Sequence, residues 1–195
     1  MRGMSFLAEP APSPGQQRMY DDDLAQHGYV WSNSRVWSHH PEMEEAFGAA
    51  LDLASQAAGL TDRERAMLVL GQAKAIGDSY CSVAWSRRLA EWEDEATALA
   101  AIRGDEAPFD ERERALARWA QTVARDPNGA TPDDIQALRD VGFDDAQIFS
   151  LTAFTALRVA LSTINDALGA RPDLALTETI DPEIRAAITW GRPPA

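Results

Sequence analysis

From Pro41 onward, apolar residues return every three or four positions and almost never every second one. That is the period of amphipathic helices, not of strands. Met43, Phe47, Leu51 and Ala54 make the first stripe. Pro41 and the acids Glu42, Glu44 and Glu45 suit the first turn of that helix, where proline fits and the dipole favours negative charge. Gly59 closes it. Thr61-Asp62-Arg63-Glu64 is a capping box ahead of a second helix through Met67, Leu68 and Leu70, which Gly77 breaks. A third helix is predicted from Asp78 past Trp85, Leu89 and Trp92, and a short fourth over 94–103 stops at Gly104. Asp110 opens a fifth, with Leu116, Trp119, Ala120 and Val123 on one face. Asp126-Pro127-Asn128-Gly129 reads as a turn, and Thr131-Pro132 as the cap and first residue of a helix ending near Gly142. The longest run, 144–168, carries Ile148, Leu151, Phe154, Leu157, Leu161, Ile164 and Leu168, and Gly169 closes it. Asp181-Pro182-Glu183 starts a last helix through Ile184, Ile188 and Trp190. The pattern predicts an all-α bundle of about eight helices.

The first forty residues lack this rhythm. Pro10, Pro12, Pro14 and Gly15 predict a loose arm over residues 1 to about 20. Tyr29, Trp31 and Trp37 predict that residues 20–40 pack on the body. The organisation expected is an arm at 1–40, a helical domain at 41–170, and a C-terminal helix and tail of the same domain at 171–195. A length of 195 residues fits one domain, and 45% hydrophobic with 25% charged residues fits a packed core. The start, Met1 to Leu7, is too short in apolar run for a signal peptide. No uninterrupted apolar run approaches the roughly 20 residues that span a bilayer, so a cytoplasmic location is expected. The net charge of -13 disfavours nucleic acid and anionic membranes as partners. Cys81 is the only cysteine, which excludes an intramolecular disulfide.

The segment Arg65-Ala66-Met67-Leu68 followed by Gly77-Asp78-Ser79-Tyr80-Cys81-Ser82-Val83-Ala84-Trp85 resembles the signature of the carboxymuconolactone decarboxylase/AhpD-like superfamily. Similar downstream pieces are Glu113-Arg114-Ala115-Leu116, Arg125-Asp126-Pro127, Asp134 to Leu138, Gly142 to Asp145 and Asn165 to Gly169. His40-Pro41-Glu42 is similar to the start of the family's first helix, so the resemblance spans roughly residues 38–170. It implies an AhpD-like multi-helix bundle, no cofactor, and assembly as a homodimer or higher homo-oligomer. The family signature has a glutamate, then C-x-x-C about twelve residues later, then a histidine four residues on. Here those positions hold Ala66, Asp78, Cys81 and Trp85. One of four survives. With a single sulfur the family's two-cysteine disulfide cycle is chemically impossible within one chain.

What remains defines the candidate chemistry. If Asp78 caps the helix, Cys81 lies in its first turn, where the dipole favours thiolate while the Asp78 charge opposes it. Asp78, Cys81, Trp85, Arg88 and Trp92 share one helix face by spacing, and the resemblance implies that this face, with Tyr80, lines a pocket. Arg158 and Asn165, seven apart on the long helix, share a face, and Arg158 needs a partner there: Asp78, Asp166 or a bound anion. His39-His40 lack a third ligand nearby, so no metal is expected. Three functions stay open. One is a peroxidase-related oxidoreductase using Cys81 with an external thiol. Another is an acid–base enzyme using Asp78 on a small carboxylated lactone. The third is a non-catalytic small-molecule-binding or assembly protein.

Overall fold

The computed structural model describes residues 5–194. Met1 to Met4, which include most of the stretch tested above for a signal peptide, lie outside the described residues. Within them the order is α1 (Pro14–His27), α2 (Ser32–Trp37), α3 (Pro41–Ala58), α4 (Asp62–Ile76), α5 (Ser79–Trp92), α6 (Glu95–Arg103) and α7 (Glu111–Arg125). A 3-10 turn (Pro127–Gly129) leads to α8 (Pro132–Asp140), α9 (Asp145–Ala167), α10 (Leu174–Thr177) and α11 (Pro182–Ala187). The described residues contain no strand.

The centre is α4. Every residue from Ala66 to Ala73 is buried, so this helix is apolar on all sides and is wrapped rather than laid on a surface. It crosses α7 so closely that a β-carbon on Gly71 would come 2.8 Å from the carbonyl oxygen of Ala117. Only glycine permits that approach of two backbones. The two helices also begin alike. Thr61 caps α4 and Asp110 caps α7, each in a capping box with a glutamate at the third position, Glu64 and Glu113. Each glutamate then reaches across to the other helix: Glu113 pairs with Arg63, and Glu64 with Arg112. α9 runs along α3 and touches α4 and α7, and α5 packs on α4 and α6.

Three segments depart from the sequence expectation. The loose arm is helical from Pro14, because Ser13 accepts the Gln16 N–H and proline occupies the first helical position. A cluster of prolines marks a loop only until one of them follows a cap. This part is tied down: the Ser32 N–H donates to Asp173, and the Phe6 N–H donates to the Leu168 carbonyl. α10, four residues long, has too short a period to be read from sequence. The last helix stops at Ala187, short of Trp190.

Beyond it the chain returns over the start of α5. Ser79 Oγ donates to the Arg192 carbonyl at 2.8 Å, and the Trp190 indole N–H donates to Ser82 Oγ at 3.1 Å. Gly191, at φ +72°, sits where a β-carbon would be 2.6 Å from the Gly77 carbonyl oxygen. Among the described residues α9 alone meets the length and composition of a membrane span. In this fold its 23 residues pack along α3.

Candidate active site at the start of α5

Gly77 ends α4 in the left-handed region, and Asp78 then caps α5 by accepting the Cys81 N–H on Oδ1 at 2.8 Å. Cys81 therefore stands at the third position of the helix, in its first turn. Both residues are buried, Asp78 at 1% exposure and Cys81 at 3%. α9 lies opposite. It brings Arg158 Nη2 to 3.1 Å from Cys81 Sγ and Ser162 Oγ to 3.7 Å. Gln72 of α4 extends the chain by donating to Ser162 Oγ at 3.4 Å. Asn165, one turn further along α9, accepts the Trp37 indole N–H at 2.9 Å.

These contacts leave several polar atoms over. Asp78 Oδ2, Gln72 Oε1, Asn165 Nδ2 and Arg158 Nε are all buried without a hydrogen-bond partner. A buried polar atom left unpaired costs about 1–3 kcal/mol. Three of them, on Asp78, Arg158 and Gln72, belong to residues linked to one sulfur directly or through Ser162, which is characteristic of a place that receives a ligand or ordered water.

The sequence leaves dipole and carboxylate opposed at Cys81, and burial decides between them. Burial, and after it the Asp78 carboxylate, pushes the Cys81 thiol up to about 12, although Arg158 and Ser162 pull it down. The helix dipole does not prevail, so the resting sulfur is a protonated thiol. Arg158 does not pair with Asp78 or with Asp166, since its hydrogen bond goes to the sulfur. Asp166 instead lies 3.9 Å from Arg192.

The other sequence candidates divide. Trp85 is buried above the site, with the guanidinium of Arg158 5.2 Å and that of Arg88 4.9 Å from its ring centre. Trp92 meets Trp85 edge-on at 6.3 Å and is 41% exposed, so it forms a rim rather than a floor. Tyr80 points away. Its hydroxyl donates to Asp173 at 2.9 Å and to Asn33 at 3.1 Å, tying α5 to the N-terminal segment. Burial raises Asp173 to about 6, against the hydrogen bonds of Tyr80 and Ser32 that pull it down. Sequence reading missed Gln72 and Ser162. Both lie on helices whose apolar neighbours drew attention, and a lone amide or hydroxyl on a buried stripe was the available signal. Among the described residues no three His, Cys, Asp or Glu side chains gather as a metal would need.

The sequence matches no protein-family model and no curated protein. Solved structures do match. An uncharacterised peroxidase-related protein with an alkylhydroperoxidase AhpD core, from Ralstonia eutropha JMP134, superposes over 100% of both chains with a TM-score of 0.76 and 25% identity. An uncharacterised peroxidase-related protein from Silicibacter sp. TM1040 covers 89% of this chain and 94% of its own, with a TM-score of 0.74 and 20% identity. The debrominase Bmp8 covers 90% of this chain and 92% of its own, with a TM-score of 0.71 and 15% identity. A Cys-to-Ala variant of that debrominase has been solved in complex with 2,3,4-tribromopyrrole. With that fold, and with a cysteine at the start of α5 where the sequence resemblance aligns it, the chain is a divergent member of the AhpD-like, peroxidase-related superfamily.

Proposed function

We propose that the chain is an oxidoreductase that reduces a hydroperoxide through Cys81 and is resolved by an external thiol. The observation that carries this reading is the contact of Cys81 Sγ with Arg158 among buried polar groups, several of which keep an atom without a partner. Asp78 takes the thiol proton, which removes the second-largest cause of the raised pKa and leaves the thiolate facing a guanidinium. The thiolate attacks the distal peroxide oxygen. An S–O bond forms, the O–O bond breaks, and the leaving alkoxide takes the proton back from Asp78. The sulfenic acid on Cys81 condenses with one external thiol, releasing water, and a second thiol displaces the mixed disulfide as R–S–S–R. The structures of a debrominase with this fold support reading the pocket as a place for reactions on small molecules. Peroxide turnover with a small dithiol tests the proposal: Cys81→Ser should abolish it, and full turnover in that variant would sink it.

A second reading keeps the pocket and drops the sulfur chemistry. The protonated Cys81 and the unpartnered Asp78 Oδ2 favour acid–base work by Asp78 on a small substrate. In that case Asp78→Asn abolishes activity and Cys81→Ser spares it. Self-association belongs to either reading, since α3 and α9 leave Met43, Leu53 and Phe149 exposed at 53%, 69% and 75%. Light scattering checks it, and a monomer mass of 21.3 kDa would reject it.

A further inference from the structure

The chain is rich in acid, and most of its arginines near the site have found some. Arg63, Arg65, Arg87 and Arg112 each pair with a carboxylate. Arg88 and Arg158 do not form an ion pair with any described residue. Both lie against one indole, with guanidinium carbons 4.9 and 5.2 Å from the Trp85 ring centre, so the two cations are within about 10 Å of each other. Two like charges held together at a half-buried face oppose each other unless an anion sits between them. Arg158 Nε is also buried with no acceptor. Beside them the exposed indole of Trp92 stands edge-on to Trp85, at 73° to it, and forms an aromatic rim at the surface.

We infer that Arg88 and Arg158 seat a small planar organic anion, with its carboxylate reached by both guanidiniums and its flat body against the exposed indole of Trp92. The inference rests on reading the Cys81 pocket as the reaction site, and it names the class of substrate that would enter there. Guanidiniums suit a carboxylate because their paired N–H groups match its two oxygens, and the indole selects a flat partner over a bare ion. Arg158 then has two tasks at once: one nitrogen touches Cys81 Sγ, and the unpartnered Nε is free for the anion. A seated carboxylate therefore lies within a few ångströms of the sulfur.

Calorimetric titration of the Cys81→Ala variant with benzoate, benzamide and inorganic phosphate tests the seat with the chemistry removed. Benzoate should bind at least tenfold more tightly than benzamide, its neutral isostere, and more tightly than phosphate. Arg88→Gln changes an exposed side chain, should fold, and should weaken benzoate at least tenfold. Arg87→Gln, one position away and paired with Glu91, should leave benzoate binding unchanged. Equal affinity for benzoate and benzamide, tighter binding of phosphate, no benzoate binding, or indifference to Arg88→Gln would each overturn the inference. Benzoate binding without peroxide turnover would instead refute the redox reading and leave the seat standing.

Discussion

Two polar regions of this molecule are built on opposite plans. At the starts of α4 and α7 the buried glutamates are satisfied twice over. Glu64 accepts the Thr61 N–H and pairs with Arg112, while Glu113 accepts the Asp110 N–H and pairs with Arg63. At the start of α5 the polar groups are equally buried and far less complete. Asp78, Gln72, Asn165 and Arg158 each keep an atom without a partner. The first region uses charge to fix two helices in register. The second holds unpaired groups at a cost in stability, which proteins tolerate where a ligand completes the set. Buried charge alone does not mark a site; unpartnered atoms on residues that touch a nucleophile do.

The largest effect that can break this comparison is in the satisfied region. Glu113→Ala removes a cap and leaves Arg63 with one fewer partner, and should cost about 2–4 kcal/mol. For a domain of this size that lowers Tm by about 5–12 °C in a calorimetric scan. Asp78→Asn keeps a capping side chain and deletes an unpaired buried charge, so its Tm should move by less than about 3 °C. Similar losses at both positions would erase the distinction. Gly71→Val is next. The backbone of α7 leaves no room for its side chain, and overpacking of this kind costs about 1–3 kcal/mol, seen as an earlier denaturant midpoint.

The α4 and α7 pairing was half visible in the sequence. Thr61-Asp62-Arg63-Glu64 announced a capping box, and Asp110 announced a helix start. That the two boxes exchange partners was not visible, because it depends on a helix crossing and not on a local period. The helix boundaries around Asp78 were legible for the same local reason: glycine stop, aspartate cap, apolar stripe. The state of Cys81 was not. The dipole of a first turn and the charge of Asp78 pulled in opposite directions, and burial by α9 and α4, which no spacing reports, decides against the thiolate. Gln72 and Ser162 were hidden inside apolar helices, and Tyr80 was misplaced because the Asp173 it bonds lies 93 residues away.

Reactivity sharpens the comparison on a smaller scale. Alkylation of Cys81 by iodoacetamide should be slow at neutral pH and should still be rising with pH above 10, as a thiol near 12 requires. Asp78→Asn removes the second cause of that shift and should speed alkylation at pH 8 about tenfold or more, while hydroperoxide turnover falls because the proton acceptor is gone. Unchanged alkylation would mean that Asp78 does not govern the sulfur. The smallest effect is a slope. Asp166 is raised to about 6 by burial and then by Asp78, and Asp173 likewise by burial. A raised carboxyl binds its proton more readily folded than unfolded, so both groups favour the fold below about pH 4, and that contribution is lost as pH rises to about 6. Tm should therefore fall less steeply between pH 4 and 6 in Asp166→Asn than in the parent chain, and an unaltered slope would remove Asp166 from the account.

The return of residues 190–192 over the start of α5 has a consequence for how the molecule breathes. Ser79 and Ser82 are held by that segment, while Leu68 to Leu70 are enclosed by the bundle around α4. Amides in the first turn of α5 can exchange with deuterium once the segment lifts, with the paired helices still intact. Those of α4 must wait for the whole domain to open. Exchange at Cys81 and Ser82 should accordingly ignore low concentrations of denaturant that already quicken exchange at Val69, and Gly191→Val should release the former without touching the latter.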